Sequence, residues 1–166
     1  LPEKRIVFVP DQNLANYVAA QVPEKEVIPF SGYCIVHHQM RVEDVEKATA
    51  SVPGAPLLVH PECPDAVVRR ADFVGSTEQI ISFATKSPEK AFIIGTEMGV
   101  LHTLQRRNPD KKFYLLSPKL LCSNMKKTHL DDVYESLVHE RHEINLDGAV
   151  MDRARRSLER MLKIAQ

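Results

Sequence analysis

The sequence predicts an α/β fold of pseudo-repeated domains, each a short parallel sheet covered by helices on both faces. Three observations carry that expectation. Apolar runs of strand length alternate with helical patterns through most of the 166 residues, which is the rhythm of β-α-β units. Those runs are apolar on both faces, as strands buried on each side must be. Finally, one β-α-β segment occurs twice. Val7-Phe8-Val9-Pro10-Asp11 through Pro23-Glu24-Lys25 aligns with Ile93-Ile94-Gly95-Thr96-Glu97 through Pro109-Asp110-Lys111 at a constant offset of 86 residues. Each copy then enters a second apolar run and reaches a cysteine, Cys34 or Cys122. The two cysteines lie 88 residues apart, so the second copy carries two extra residues. One cysteine per unit at the same topological place is what a pseudo-symmetric thiolate metal site requires.

In chain order, strands are expected at 5–9, where Ile6-Val7-Phe8-Val9 runs into Pro10, and at 27–30, after the Pro23-Glu24-Lys25 turn. Leu57-Leu58-Val59 marks a strand at 57–59, and Phe73-Val74 one at 72–74. The second copy of the repeat places strands at 92–94 and 113–116, and Glu143-Ile144-Asn145-Leu146 is read as a last strand at 143–146. Helices are expected between them at 13–21, 41–50, 64–70, 77–86, 97–107, 130–140 and 147–165. Arg41-Val42-Glu43-Asp44-Val45-Glu46-Lys47-Ala48 is amphipathic and reads as a surface helix. Met151, Ala154, Leu158, Met161 and Leu162 recur at helical spacing, and their stripe is expected to pack into a core. The repeat makes 34–121 a complete four-stranded unit, with the tail of another unit before it. A half unit at the front, and Leu rather than Met at position 1, lead to the expectation of an upstream segment.

Bulk properties narrow the function classes. Hydrophobic residues make up 43% and charged residues 27%, and 22 basic residues balance 22 acidic ones. That composition is globular, and its neutrality argues against nucleic acid or an anionic membrane as the main partner. No apolar run approaches the ~20 residues of a membrane span, and no leader pattern is present, so a cytoplasmic location is expected. Three cysteines without secretory features fit thiols or metal ligands better than disulfides.

Ligands of open α/β sheets collect at the C-terminal strand ends. Those ends are polar here: Pro10-Asp11-Gln12-Asn13, His60-Pro61-Glu62-Cys63, Gly75-Ser76-Thr77 and Gly95-Thr96-Glu97. Asp11, Thr77 and Thr96 read first as helix N-caps. Gly75-Ser76-Thr77 also reads as a small anion nest. On an extended segment His60 and Glu62 point the same way, so imidazole and carboxylate flank one ligand as donor and acid–base group. Cys63 has no counterpart in the repeat and reads as a small buried hydrophobe. Cys34 and Cys122 suit a low-pKa nucleophile, a zinc ligand or an iron–sulfur ligand. The lack of any Cys-x-x-Cys disfavours a zinc ribbon.

Val9-Pro10-Asp11-Gln12-Asn13-Leu14, Gly32-Tyr33-Cys34-Ile35-Val36-His37, His60-Pro61-Glu62-Cys63, Ala71-Asp72-Phe73-Val74-Gly75-Ser76-Thr77, Gly95-Thr96-Glu97 and Cys122-Ser123-Asn124-Met125-Lys126, in that order, resemble quinolinate synthase. The resemblance covers essentially the whole chain. It implies three similar three-layer α/β/α domains with short four-stranded parallel sheets, around a pseudo-threefold axis. It also implies a four-iron four-sulfur cluster held by one cysteine from each region, acting as a Lewis acid. The implied reaction condenses iminoaspartate with dihydroxyacetone phosphate to quinolinate, the pyridine precursor of NAD, with L-aspartate oxidase as supplier of iminoaspartate.

Carried onto this sequence, the resemblance makes Cys34 and Cys122 cluster ligands, with the third cysteine outside the chain and Cys63 not among them. His60 and Glu62 become catalytic, and His60, Pro61, Glu62, Ser76 and Thr77 contact substrate. Residues 1–33 become the C-terminal part of a middle domain and 34–121 the complete third domain. Residues 122–166 become a segment packing back on a first domain outside the chain. The chain looks like the C-terminal half of the family's chain, and alone is expected to be inactive. The alternative is a noncatalytic α/β module that holds a small anion at Ser76, Thr77 and Thr96.

Overall fold

The computed structural model describes residues 1–165. They form two compact units, one of Glu3–Cys122 and one made of Leu1–Pro2 with the residues from Ser123 onward. The first unit carries all the strands. β1 (Arg5–Phe8) and β2 (Glu26–Pro29) make a two-stranded parallel sheet. β3 (Leu57–Val59), β4 (Phe73–Val74), β5 (Ala91–Gly95) and β6 (Lys112–Leu115) make a four-stranded sheet of order β4-β3-β5-β6, parallel throughout.

The strands lack polar alternation because both faces of the larger sheet are covered. Leu57, Val59 and Ile93 point to one face, where Val36 of α2 (Ile35–His38), Val45 of α3 (Val42–Ser51) and Val67 of α4 (Asp65–Val68) pack on them. Leu58, Phe92 and Ile94 point to the other and meet Ile80 and Ala84 of α5 (Thr77–Lys86) and Leu104 of α6 (Val100–Arg107). The result is the three-layer α/β/α arrangement the sequence predicts. Each fully buried side chain of this size contributes about 1.5–3 kcal/mol, so neither face can be left uncovered.

The repeat survives in three dimensions down to its register. Helix α1 (Gln12–Gln21) joins β1 to β2, and α6 joins β5 to β6. β1 pairs with β2 as Arg5↔Glu26 through Phe8↔Pro29, and β5 with β6 as Ala91↔Lys112 through Ile94↔Leu115. Every member of the second set sits 86 positions after its counterpart. The loops repeat as well: Gln12 N–H donates to Gly32 O, and Met98 N–H to Leu120 O, both at 2.8 Å.

Three expectations are corrected, and one element was not foreseen. Residues 143–146 form no strand; Ile144 and Leu146 are exposed and no strand of the described residues lies beside them. A strand needs a partner ladder, and a two-residue alternation cannot supply one. Helix α2 was not foreseen, because four residues carry too little periodicity to read. α6 begins at Val100 rather than 97, since the Glu97 carboxylate accepts the Gly99 N–H at 2.7 Å and shapes a turn there. In the second unit, α7 (Leu130–His139) and α8 (Gly148–Ile164) form as predicted, but Met151, Leu158, Met161 and Leu162 are exposed rather than in a core. Among the described residues no helix is long and apolar enough to cross a membrane.

Candidate active site at the sheet's switch point

From β3 the chain steps through α4 to β4 on one side, then returns through α5 to β5 on the other side of β3. The gap between the C-terminal ends of β3 and β5 is therefore a topological switch point, where connections leave in opposite directions and open a crevice. His60 and Glu62 follow β3; Thr96 and Glu97 follow β5.

His60-Pro61-Glu62-Cys63 is a turn, not the extended segment expected, with Cys63 N–H donating to His60 O at 3.0 Å. Proline pre-sets the backbone for such a turn. The two side chains still meet, with His60 Nδ1 3.6 Å from Glu62 Oε2. Glu62 is the hub. Its Oε2 lies 2.9 Å from His37 Nδ1, and the Cys34 sulfur lies within 4.8 Å of its carboxylate. His37 Nε2 in turn lies 3.1 Å from the hydroxyl of Thr96, which is 2% exposed. The His37 and His60 rings stack at 4.6 Å. Cys34, His37 and Glu62 each bring a ligand atom within 4.8 Å of the others.

Charge follows this geometry. The hydrogen bond from His37 holds the Glu62 carboxyl below its usual range, outweighing burial. Ionised Glu62 can only accept, so His37 Nδ1 carries a proton. Burial, and then His37 alongside, push His60 down from its ordinary value, so its neutral form is favoured. Glu62 N–H donates to His60 Nδ1 at 3.3 Å, which puts the ring proton on Nε2, the atom left for a ligand.

Both repeat cysteines are held the same way. Asp11 caps α1 through Oδ1, accepting from Leu14 N–H at 2.7 Å, while its Oδ2 accepts from Cys34 N–H at 2.8 Å. Glu97, its counterpart, accepts from Gly99 N–H and, through Oε1, from Cys122 N–H at 3.3 Å. Gly32 lets the first loop close, because a Cβ there would stand 2.5 Å from Pro10 O. Asn13 ties α1 to the site, its Nδ2 lying 2.9 Å from Glu62 O and 3.0 Å from His38 Nδ1. Replacing Asp11 by Ala strands a helix N-terminus and the Cys34 N–H. The expected loss is about 3 kcal/mol, summed from a lost cap and an unmet buried donor. The midpoint of urea unfolding measures it, and an unchanged midpoint refutes the clamp.

The family model described as Quinolinate synthetase A protein matches residues 1–163. This chain belongs to the quinolinate synthase family. It is 56% identical over 164 residues to the quinolinate synthase of Alkaliphilus metalliredigens and 53% identical over 164 residues to that of Caldicellulosiruptor saccharolyticus. The family likeness extends to Methanoregula boonei, whose quinolinate synthase is 45% identical over 164 residues. In all three comparisons 99% of this chain aligns with 54% of the relative, so the chain spans about half the length of these curated relatives.

For a quinolinate synthase family chain, the predicted site residues are distributed as follows. His60, Pro61, Glu62 and Cys34 lie in or beside the crevice. Cys122 ends the same unit, half-buried against the core face that Cys34 also packs on. Cys63 is 1% exposed in that core, its thiol pushed up to about 12 by burial and so neutral. Ser76, not Thr77, is the N-cap of α5: its Oγ accepts from Gln79 N–H, and Ser76 N–H donates to Gln79 Oε1. With that amide spent on the capping box, and Gly75 N–H on Val59 O, an anion nest has little left to offer beyond exposed Thr77. Thr96 is no cap either, because its hydroxyl serves His37. His37 is the residue sequence reasoning missed as a site, and with it the bond to Thr96, which was expected as a cap or an anion contact. The signal for His37 was present in Cys34-x-x-His37, a spacing that puts both on one face of a helical turn.

Proposed function

We propose that this chain supplies part of the active site of quinolinate synthase. The enzyme condenses iminoaspartate with dihydroxyacetone phosphate to quinolinate, in a transferase- or dehydratase-type step of cytoplasmic NAD biosynthesis. The observation that carries the proposal is the Glu62 hub, where an ionised carboxylate, two imidazoles and a cysteine meet at the switch-point crevice of a chain in this family.

Cys34 and Cys122 fit a four-iron four-sulfur cluster in their chemistry. Both are free thiols, partly exposed, on loops whose N–H groups are clamped by buried acids. Each is one ligand, and the third comes from outside this chain. When bound, such a cluster with an open iron site supplies a Lewis acid. This chain's residues do the rest. Glu62 takes a proton from bound substrate as general base, and neutral His60 holds its Nε2–H as a hydrogen-bond donor to the oxyanion that develops. His37, fixed by Thr96, orients Glu62. Thr77, at the first turn of α5, meets an anionic substrate group with the helix N-terminus behind it. L-aspartate oxidase is the proposed source of iminoaspartate.

Anaerobic iron–sulfide reconstitution of the protein as its gene encodes it tests the reading. Brown colour and visible absorbance are expected, lost in Cys34→Ser and Cys122→Ser and kept in Cys63→Ser, together with quinolinate from both substrates. A colourless wild-type protein ends the proposal.

A further inference from the structure

We propose that Cys34, His37 and Glu62 form a mononuclear divalent-cation site of zinc type, occupied when no cluster is present. It goes beyond the proposed synthase reading and does not depend on it. Its basis is a mixed sulfur, nitrogen and oxygen donor set, each contributing one atom, with all three within 4.8 Å of one another. Tetrahedral zinc bonds of about 2.0–2.3 Å place neighbouring ligands about 3.3–3.8 Å apart. His37 Nδ1 and Glu62 Oε2, at 2.9 Å, need only open by about half an ångström, and the Cys34 sulfur lies within 4.8 Å of both.

The surroundings are those of a metal ligand set. A metal-bound imidazole usually gives its other N–H to an oxygen that fixes the ring, and Thr96 Oγ1 stands 3.1 Å from His37 Nε2. Asp11 fixes the Cys34 backbone, its Oδ2 accepting from Cys34 N–H at 2.8 Å. Binding balances simply. The Cys34 sulfur releases its proton to solvent, and the His37 ring proton moves from Nδ1 to Nε2, where Thr96 accepts it. One thiolate and one carboxylate then neutralise the dication, and water fills the fourth position. Three protein ligands and a water is the open form of a zinc site. Because Cys34 is shared, zinc and a cluster that uses Cys34 exclude each other, and zinc binds such donors more tightly than ferrous iron.

Cobalt(II), a spectroscopic stand-in for zinc, tests the site in the iron-free, reduced protein as its gene encodes it. One equivalent should give thiolate-to-cobalt charge-transfer absorption with tetrahedral ligand-field bands, displaced by one equivalent of zinc. The charge-transfer band should vanish in Cys34→Ser and survive in Cys122→Ser. Thr96→Val, which keeps its shape but loses the hydroxyl, should weaken binding about 10- to 100-fold. His37→Ala and Glu62→Gln should weaken it at least as much, with circular dichroism reporting that each is folded. Zinc added before iron and sulfide to wild-type protein should block reconstitution in proportion. A band lost in Cys122→Ser, or unchanged in folded His37→Ala, overturns the proposal. The cobalt spectrum needs no cluster, so its failure and that of the synthase reading are read separately.

Discussion

Replacing Glu62 by Gln, or His60 by Ala, is expected to lower quinolinate formation by about 10²- to 10⁴-fold each in the protein as its gene encodes it, the usual cost of losing one general acid or base. Gln keeps the length and volume of Glu62 but loses the negative charge. Turned one way its amide presents N–H to the His37 Nδ1 proton; turned the other it accepts there but cannot take a proton from substrate. His60→Ala removes the imidazole whose Nε2 proton remains for a ligand, while leaving the Glu62 contact to His37 intact. Neither residue is a thiolate, so absorbance of the reconstituted protein should match wild type in both. Anaerobic steady-state assays beside that spectrum decide the matter. Near-normal turnover in both variants makes the crevice structural, and loss of colour in either makes the residue part of the metal site.

The 166-residue chain by itself is expected to make no quinolinate and to self-associate. It aligns with only 54% of each close relative, and its surface shows the consequence. Val7 and Phe30 lie exposed on or beside a two-stranded parallel sheet, and Leu130, Leu137, Leu158 and Met161 lie exposed on α7 and α8. A two-stranded sheet is marginal alone, and parallel strands with open edges invite further pairing. Apolar groups left in water at roughly 25 cal/mol per Å² supply the rest of the drive. Size-exclusion chromatography and an anaerobic assay on the isolated chain measure both effects. A monodisperse monomer that converts both substrates would falsify the claim that the remaining length of the family's chain supplies cover and ligands.

Six strands and the helices between them, α2 excepted, could be read from the sequence because short apolar runs alternate with helical patterns and turn residues punctuate each β-α-β return. The repeat told more, since positions 86 apart share not only element type but pairing register and the bond to each cysteine loop. The 143–146 segment failed for the opposite reason: Ile144 and Leu146 alternate, yet strand formation is decided by a neighbour, not by the segment.

The proposed catalytic pair His60 and Glu62 was visible as polar residues at a strand end, although through a turn rather than an extended segment. Their link to His37 and Thr96 was not, because the Glu62–His37–Thr96 chain joins residues 25 and 59 positions apart. Local pattern alone determined the α/β class, the two-fold repeat and the strand ends where polar groups collect. Only the tertiary structure decided which of those groups meet, because the crossing of β3 and β5 connections opens one crevice and buries its hydroxyl and imidazole where a bond must be made.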